Sequence, residues 1–253
     1  MGKIIAVANQ KGGVGKTTTC VNLTAALKQL GARVLLVDFD PQGNSTSGMG
    51  LSKRSRPNAY DIIIEGEPAR DAVLKLPYGD VIPSNTDLSG AEVQLVNVRR
   101  RELKLKEALA PLRDDYDYIF IDCPPSLGLL PINAFAAADS ILVPLQCEYY
   151  AMEGVADLTE SIALIRKHLN PALQIEGILL TMYDARLNFS EQVEEELRKY
   201  FGDKVYGTKI PRNVRLAEAP SHGLPITEYE KHSKGAKAYM QAAEEFLKRQ
   251  KEN

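Results

Sequence analysis

Eight residues near the start of the chain, Lys11-Gly12-Gly13-Val14-Gly15-Lys16-Thr17-Thr18, join an apolar, strand-like stretch over 3–8 to a helix-like stretch over 17–30. A strand, a glycine-rich turn and a helix in that order leave few folds open, because the turn must bring bare backbone close to something that a Cβ would exclude. Consecutive N–H groups in such a turn point into one concavity, and the helix N-terminus behind them adds positive partial charge. The run therefore predicts a phosphate cradle. Lys16 can then reach the terminal phosphates of a nucleotide, and Thr17 offers a hydroxyl to Mg²⁺. The usual phosphate-loop spacing asks for glycine at the position of Gln10, and an additional lysine, Lys11, stands at the entrance instead.

A dinucleotide-binding turn competes with this reading. Gly13 and Gly15 match the first two glycines of G-x-G-x-x-G, and Asp38 follows about twenty residues on. The third position is Thr18, where glycine would allow close helix packing, and the pair Lys16-Thr17 suits a triphosphate with Mg²⁺ better than a pyrophosphate.

The 253 residues, 44% of them apolar, can bury one large α/β core. No Pro/Gly/Ser-rich linker, low-complexity tract or repeat interrupts them, so residues 1–253 are expected to form a single domain. Short β-branched runs at 4–8, 34–37, 118–121, 141–145 and 175–181 alternate with amphipathic stretches such as 22–30 and 155–168. That alternation predicts a mostly parallel, twisted sheet with helices on both faces, of the phosphate-loop NTPase kind with a deviant loop. Ligands in such sheets bind at the C-terminal edge.

Two of the predicted strands end in acids. One runs into Asp38-Phe39-Asp40 and another into Asp122. A carboxylate level with the phosphate loop can hold Mg²⁺ directly or through water, which suits Asp122. Asp40 lies farther into its loop, where it can orient or deprotonate an attacking water. Thr17, Asp40 and Asp122 form the candidate metal set. Asp38 keeps two roles open: closing the strand by a backbone turn, or touching the metal.

A net charge of −2 excludes a globally basic nucleic-acid binder and leaves any DNA contact to a local patch. No apolar run approaches the ~20 residues of a membrane span and no signal-peptide layout opens the chain, so a cytoplasmic protein is expected. Cys20, Cys123 and Cys147 lack C-x-x-C spacing and are read as small buried hydrophobes. His168, His222 and His232 are isolated, and the residues show no catalytic constellation beyond the loop and its acids.

Five motifs in order, KGGVGKTT at 11–18, VDFDPQGN at 37–44, IDCPPSLG at 121–128, CEYYAMEG at 147–154 and IPRNVRLAEAPSHG at 210–223, make the chain resemble the ParA/Soj family of deviant-Walker partitioning ATPases. The match is closest to the short chromosomal type, since no DNA-binding domain precedes the first strand. The resemblance implies an ATPase, converting ATP and water to ADP and phosphate, that works with Mg²⁺ as an ATP-dependent homodimer. It implies that Lys11 reaches across a nucleotide-sandwich dimer to the partner's phosphates, and that Gly12 lies where the subunits approach closely. Gly13, Val14, Gly15, Lys16 and Thr18 are then the phosphate-binding residues, Thr17 holds Mg²⁺, and hydrolysis depends on Asp40. The segment with Pro211 and Asn213 resembles the one that holds adenine.

Arg186 and Arg215 match positions that the family uses for DNA phosphate contact, and Lys199, Lys204 and Lys209 extend the expected patch. The resemblance further implies nucleoid association, binding of double-stranded DNA without sequence preference, and a ParB/Spo0J-like centromere-binding partner that stimulates hydrolysis. A replication initiator is the alternative protein target. The related division-site ATPase MinD needs a basic amphipathic C-terminal helix for membrane binding. Here Ala236, Tyr239, Met240, Ala243, Phe246 and Leu247 make a modest apolar stripe that is expected to pack on the sheet, and no membrane contact is expected. A metabolic enzyme of the same fold would need an additional substrate pocket.

Overall fold

The computed structural model describes residues 2–125, 128–148 and 151–252. Its six strands are β1 (Lys3–Val7), β2 (Val34–Asp38), β3 (Asp80–Ile82), β4 (Tyr118–Asp122), β5 (Ser140–Gln146) and β6 (Gln174–Thr181). They pair in parallel throughout, in the order β3-β2-β4-β1-β5-β6. The helices are α1 (Lys16–Gln29), α2 (Asn44–Gly48), α3 (Leu88–Gln94), α4 (Lys104–Leu109), α5 (Leu129–Ala137), α6 (Ala151–His168), α7 (Asn188–Phe201), α8 (Val214–Glu218), α9 (Ile226–Tyr229) and α10 (Lys234–Glu252).

The strands are nearly unbroken apolar runs because both faces of the sheet are covered. Along β1, Ile4 and Ala6 join a core that includes Leu130, Val155 and Leu158, while Ile5 and Val7 join one built on Leu23, Leu27, Tyr239 and Phe246. The period of two in the strand thus feeds two separate cores. The chain leaves β1 toward β2 on one side and crosses from β4 to β5 on the other. This reversal of direction beside β1 opens a crevice at the C-terminal edge of the sheet.

The five strands read from the sequence are all present. β3 is an addition, three residues long between Gly79 and Pro83, too short to show a period. The apolar stripe of α10 is spent on packing: Ala236, Tyr239, Ala243 and Phe246 are buried, and the Phe246 ring meets Tyr118 edge-on with centroids 4.9 Å apart. Among the described residues no helix is long and apolar enough to cross a membrane. Cys20 and Cys123 are buried, as expected of small hydrophobes, and Cys147 is half-buried.

One buried acid ties four elements together. Glu176 of β6 is 6% exposed, pairs with Lys3 of β1 at 2.7 Å, and accepts hydrogen bonds from Ser140 of β5 and Gln250 of α10. Burial pushes its carboxyl up, but the bonds from Lys3, Ser140 and Gln250 outweigh this and hold it below the usual range. A lowered folded-state pKa contributes stability that is present above the unfolded carboxylate value of about 4.3 and is lost as pH falls through the folded value. Glu176→Ala should therefore cost about 2 kcal/mol in urea unfolding at neutral pH, with the deficit shrinking in acid. An unchanged midpoint would show that the network contributes nothing.

Candidate nucleotide site

The glycine-rich loop is held by the ends of three strands. After β1, the Asn9 side chain donates to the Pro144 carbonyl of β5 at 2.9 Å and accepts the Lys11 N–H at 3.0 Å. At the end of β6, the Thr181 hydroxyl donates to the Val14 carbonyl at 2.7 Å. Gly13 and Gly15 take φ values of +75° and +89°, the left-handed region where a side chain is strained, so the loop can turn its N–H groups to one side. No side chain caps α1 and no acid stands in its first turn, leaving the N-terminal N–H groups of a 14-residue helix free to meet an anion.

Lys16 is buried, and its ammonium donates to the Lys11 carbonyl at 3.0 Å. Burial lowers its pKa, opposed chiefly by the charge of Asp122. A buried cation beside bare N–H groups is a site that favours a dense anion. Lys11 behaves differently: it stands half-exposed at the mouth and forms an ion pair with Glu148. Among the described residues other than its chain neighbours, a Cβ added at Gly12 would meet nothing within 4 Å.

Asp38 and Asp122 are register partners on β2 and β4, side by side and wholly buried. Burial pushes both carboxyls up, the charge of Asp122 adding to this at Asp38 and that of Asp40 at Asp122. Their bonding separates them. One Asp38 oxygen accepts the Thr46 N–H at 2.7 Å and its hydroxyl at 2.6 Å, and the other accepts the Asp40 N–H at 3.3 Å. Of its two open roles, Asp38 is engaged in the backbone one, fastening α2 and the Asp40 turn. Asp122 accepts from Ser45 at 2.7 Å and has the Thr17 hydroxyl and the Cys20 thiol beside it, yet among the described residues its buried Oδ1 finds no partner at hydrogen-bond geometry.

An orphaned carboxylate oxygen next to a hydroxyl is a donor set that fits a hard divalent cation such as Mg²⁺. Asp40 is buried in its own turn, accepting the Gln42 N–H at 2.9 Å, and its charge is felt at Asp122 and Lys16. Among the described residues no three His, Cys, Asp or Glu side chains gather into a metal cluster.

A cavity of about 180 Å³ adjoins the loop, lined by Gly15, Thr18, Thr181, Pro211, Asn213 and Tyr239 among others. The segment carrying Pro211 reaches it by extending the sheet: Ile210 donates to Leu180 at 2.8 Å, Tyr183 donates to Ile210 at 2.9 Å, and Tyr183 bridges to Pro211. Asn213 also caps α8, accepting the Arg215 N–H at 2.9 Å. Sequence reasoning missed Thr181, Tyr239, Ser45 and Glu148. Thr181 could have been found from its place at a strand's C-terminal end, whereas Tyr239 reads only as a core residue. A larger hollow of about 580 Å³, lined by Lys28, Arg33, Arg70 and Lys75 among others, lies at the opposite edge of the sheet and touches none of these residues.

Arg186 lies in the loop after β6 and Arg215 in the first turn of α8, segments joined through the Tyr183–Pro211 bridge, and both are exposed. Arg186 pairs with Asp184 at 2.7 Å and Arg215 with Glu218 at 2.8 Å. Lys199 pairs with Glu196 at 2.9 Å, and Lys204 is exposed. Lys209 is less exposed than these: it pairs with the poorly exposed Glu194, which Arg198 also meets at 3.2 Å, and lies over the Tyr183 ring. Ser126, Leu127, Tyr149 and Tyr150, from two of the five motifs, lie outside the described residues.

A family model described as an AAA domain matches residues 2–175. The sporulation initiation inhibitor protein Soj of Bacillus subtilis is 56% identical over 248 residues, covering 97% of this chain and 98% of that protein. The chromosome partitioning protein ParA of Myxococcus xanthus is 52% identical over 252 residues, covering 98% and 89%. Among solved structures, a Mycobacterium smegmatis protein described as cobyrinic acid a,c-diamide synthase, with bound ADP and magnesium, superimposes with a TM-score of 0.87. It is 38% identical, covering 99% of this chain and 96% of that one.

The contrast between the paired acids can be measured. Asp38→Ala should cost about 2 kcal/mol of stability without any nucleotide, because it strands the Thr46 N–H and hydroxyl. Asp122→Asn should leave the stability of the free protein within about 1 kcal/mol and weaken only the Mg²⁺-dependent part of nucleotide binding. Urea unfolding and titration with ATP, with and without EDTA, separate the two, and identical behaviour of the variants would contradict the division of roles.

Proposed function

The chain belongs to the ParA/Soj family of chromosome-partitioning ATPases, and we propose that ATP joins two copies into a dimer that holds double-stranded DNA until hydrolysis releases it. The observation that carries this reading is the exposed pair Lys11-Gly12 at the mouth of the phosphate loop, where among the described residues nothing but its chain neighbours lies within 4 Å of a Cβ at Gly12. A second copy can close over that mouth, and a lysine from it can neutralise charge on the γ-phosphate as a trans-acting arginine does elsewhere.

Each residue then has a task in the reaction. The N–H groups of 12–18 cradle the phosphates, and Lys16 exchanges the Lys11 carbonyl for phosphate oxygens. Thr17 and Asp122, with Asp40 nearby, would hold Mg²⁺, which supplies charge neutralisation along the phosphate chain. Asp40 accepts a hydrogen bond from the attacking water and fixes it in line with the leaving oxygen. The new oxygen–phosphorus bond forms as the bond to the ADP oxygen breaks. The 180 Å³ cavity beside Gly15 and Thr18 takes the base, with Pro211 and Asn213 on its wall.

Arg186 and Arg215 serve as DNA contacts. Their partners Asp184 and Glu218 are surface acids, and exposed ion pairs of this kind are weak and screened by solvent, so DNA phosphates can replace them. A dimer doubles the contacts and makes binding depend on its assembly. The protein is then associated with the nucleoid, and a ParB/Spo0J-like partner that stimulates hydrolysis redistributes it. The packed stripe of α10 argues against a membrane-bound role. A metabolic role, as the name of the Mycobacterium smegmatis structure implies for that protein, would need a substrate pocket beside the phosphates, whereas the hollows of about 580 and 600 Å³ are lined by none of the phosphate-loop residues.

Two measurements test the reading. Asp40→Ala protein should bind ATP, double in mass by light scattering and then bind a random-sequence duplex, with no DNA binding in ADP or without nucleotide. An ATP dimer indifferent to DNA would move the function to a protein target such as a replication initiator. Arg186→Ala or Arg215→Ala should weaken binding equally on all sequences and lower the log–log salt slope by about 2, one contact per subunit, with dimerisation unchanged.

A further inference from the structure

The cation proposed to act on a second copy is already bound to an acid of its own chain. Lys11 Nζ forms an ion pair with Glu148, a residue 137 positions away in the turn between β5 and α6. The two are brought together by the loop clamp: Asn9 fastens the Lys11 N–H to the end of β5 through the Pro144 carbonyl, and Glu148 follows within the same turn, where its carbonyl accepts the Ala151 N–H at the start of α6. The Lys11 carbonyl is held in turn by Lys16. Every polar group of Lys11 is therefore engaged: N–H by Asn9, carbonyl by the nucleotide-sensing lysine, ammonium by Glu148.

We propose that Glu148 is a positioning residue that parks Lys11 in the free chain, so that dimer assembly must exchange this pair for the partner's phosphates. The inference rests on the trans role of Lys11 given above. Both side chains are about two-fifths exposed, 43% and 41%, so the pair is screened and readily exchanged. It acts as a latch that sets a threshold, and phosphate capture of Lys16 removes the hold on the Lys11 carbonyl. A symmetric dimer opens two such latches, so a modest pair is counted twice.

The test is Glu148→Gln, which keeps shape and removes charge, made in the slow-hydrolysing Asp40→Ala background and followed by sedimentation with ATP across a range of protein concentration. The dimer dissociation constant should fall by about tenfold, with ATP affinity at monomer concentrations unaltered, and the gain should shrink as salt is raised. In Lys11→Ala protein, which removes the parked group, the same substitution should have no such effect; this double-mutant comparison separates a latch from a general change at the surface. Weaker dimers in Glu148→Gln would overturn the proposal and make Glu148 an interface contact, and an unchanged constant would leave the pair without influence on assembly. Failure of the Asp40→Ala parent to dimerise with ATP would instead remove the trans role of Lys11 itself.

Discussion

The hydrogen bonds that pin the glycine-rich loop to strand ends are the constraint on which the rest of this structure depends. A loop with two residues at positive φ has little preference for one shape on its own, since glycine gains most from staying disordered. Here Asn9 ties its first half to β5 and Thr181 ties its second half to β6. The concavity is thereby built before any phosphate arrives, and the cost of ordering it falls on folding, to the benefit of binding. The order of the sheet matters for the same reason: only with β1 flanked by β4 and β5 can Asp122, Asn9 and the β5 turn converge on one mouth.

A second constraint is electrostatic. Two buried carboxylates side by side on β2 and β4 repel each other and resist ionisation. The fold answers one of them internally, through the Thr46 N–H and hydroxyl at Asp38. It leaves the other with an oxygen that has no partner among the described residues, in a carboxyl that Thr17 and the Lys16 charge act on. That asymmetry makes one acid a fastener and its neighbour a place where positive charge is wanted, although both stand at equivalent positions of adjacent strands.

What could be read from sequence follows how local each feature is. Lys16, Thr17 and the two acid turns lie within a few residues of strand ends, and a strand, a glycine turn and a helix declare themselves by pattern. β3 escaped because three residues cannot display a period. Thr181 and Tyr239 escaped because their place beside Gly15 comes from strand order and from the packing of α10 on α1, which no window of sequence contains. The pairing of Lys209 was hidden for a related reason: a lysine beside a poorly exposed glutamate and a lysine free in solvent look alike in sequence until the fold sets Glu194 opposite one of them.

The packing of α10 has a bearing on synthesis. Tyr239 lines the cavity beside the loop and its hydroxyl meets Thr19 of α1 at 3.2 Å, so a wall of a pocket whose lining starts at Gly15 is supplied by a residue more than two hundred positions later. A nascent chain emerging from the ribosome carries the glycine-rich loop long before it carries the helix that backs it. Partial chains therefore lack one wall of the cavity proposed to take the base until α10 packs on α1.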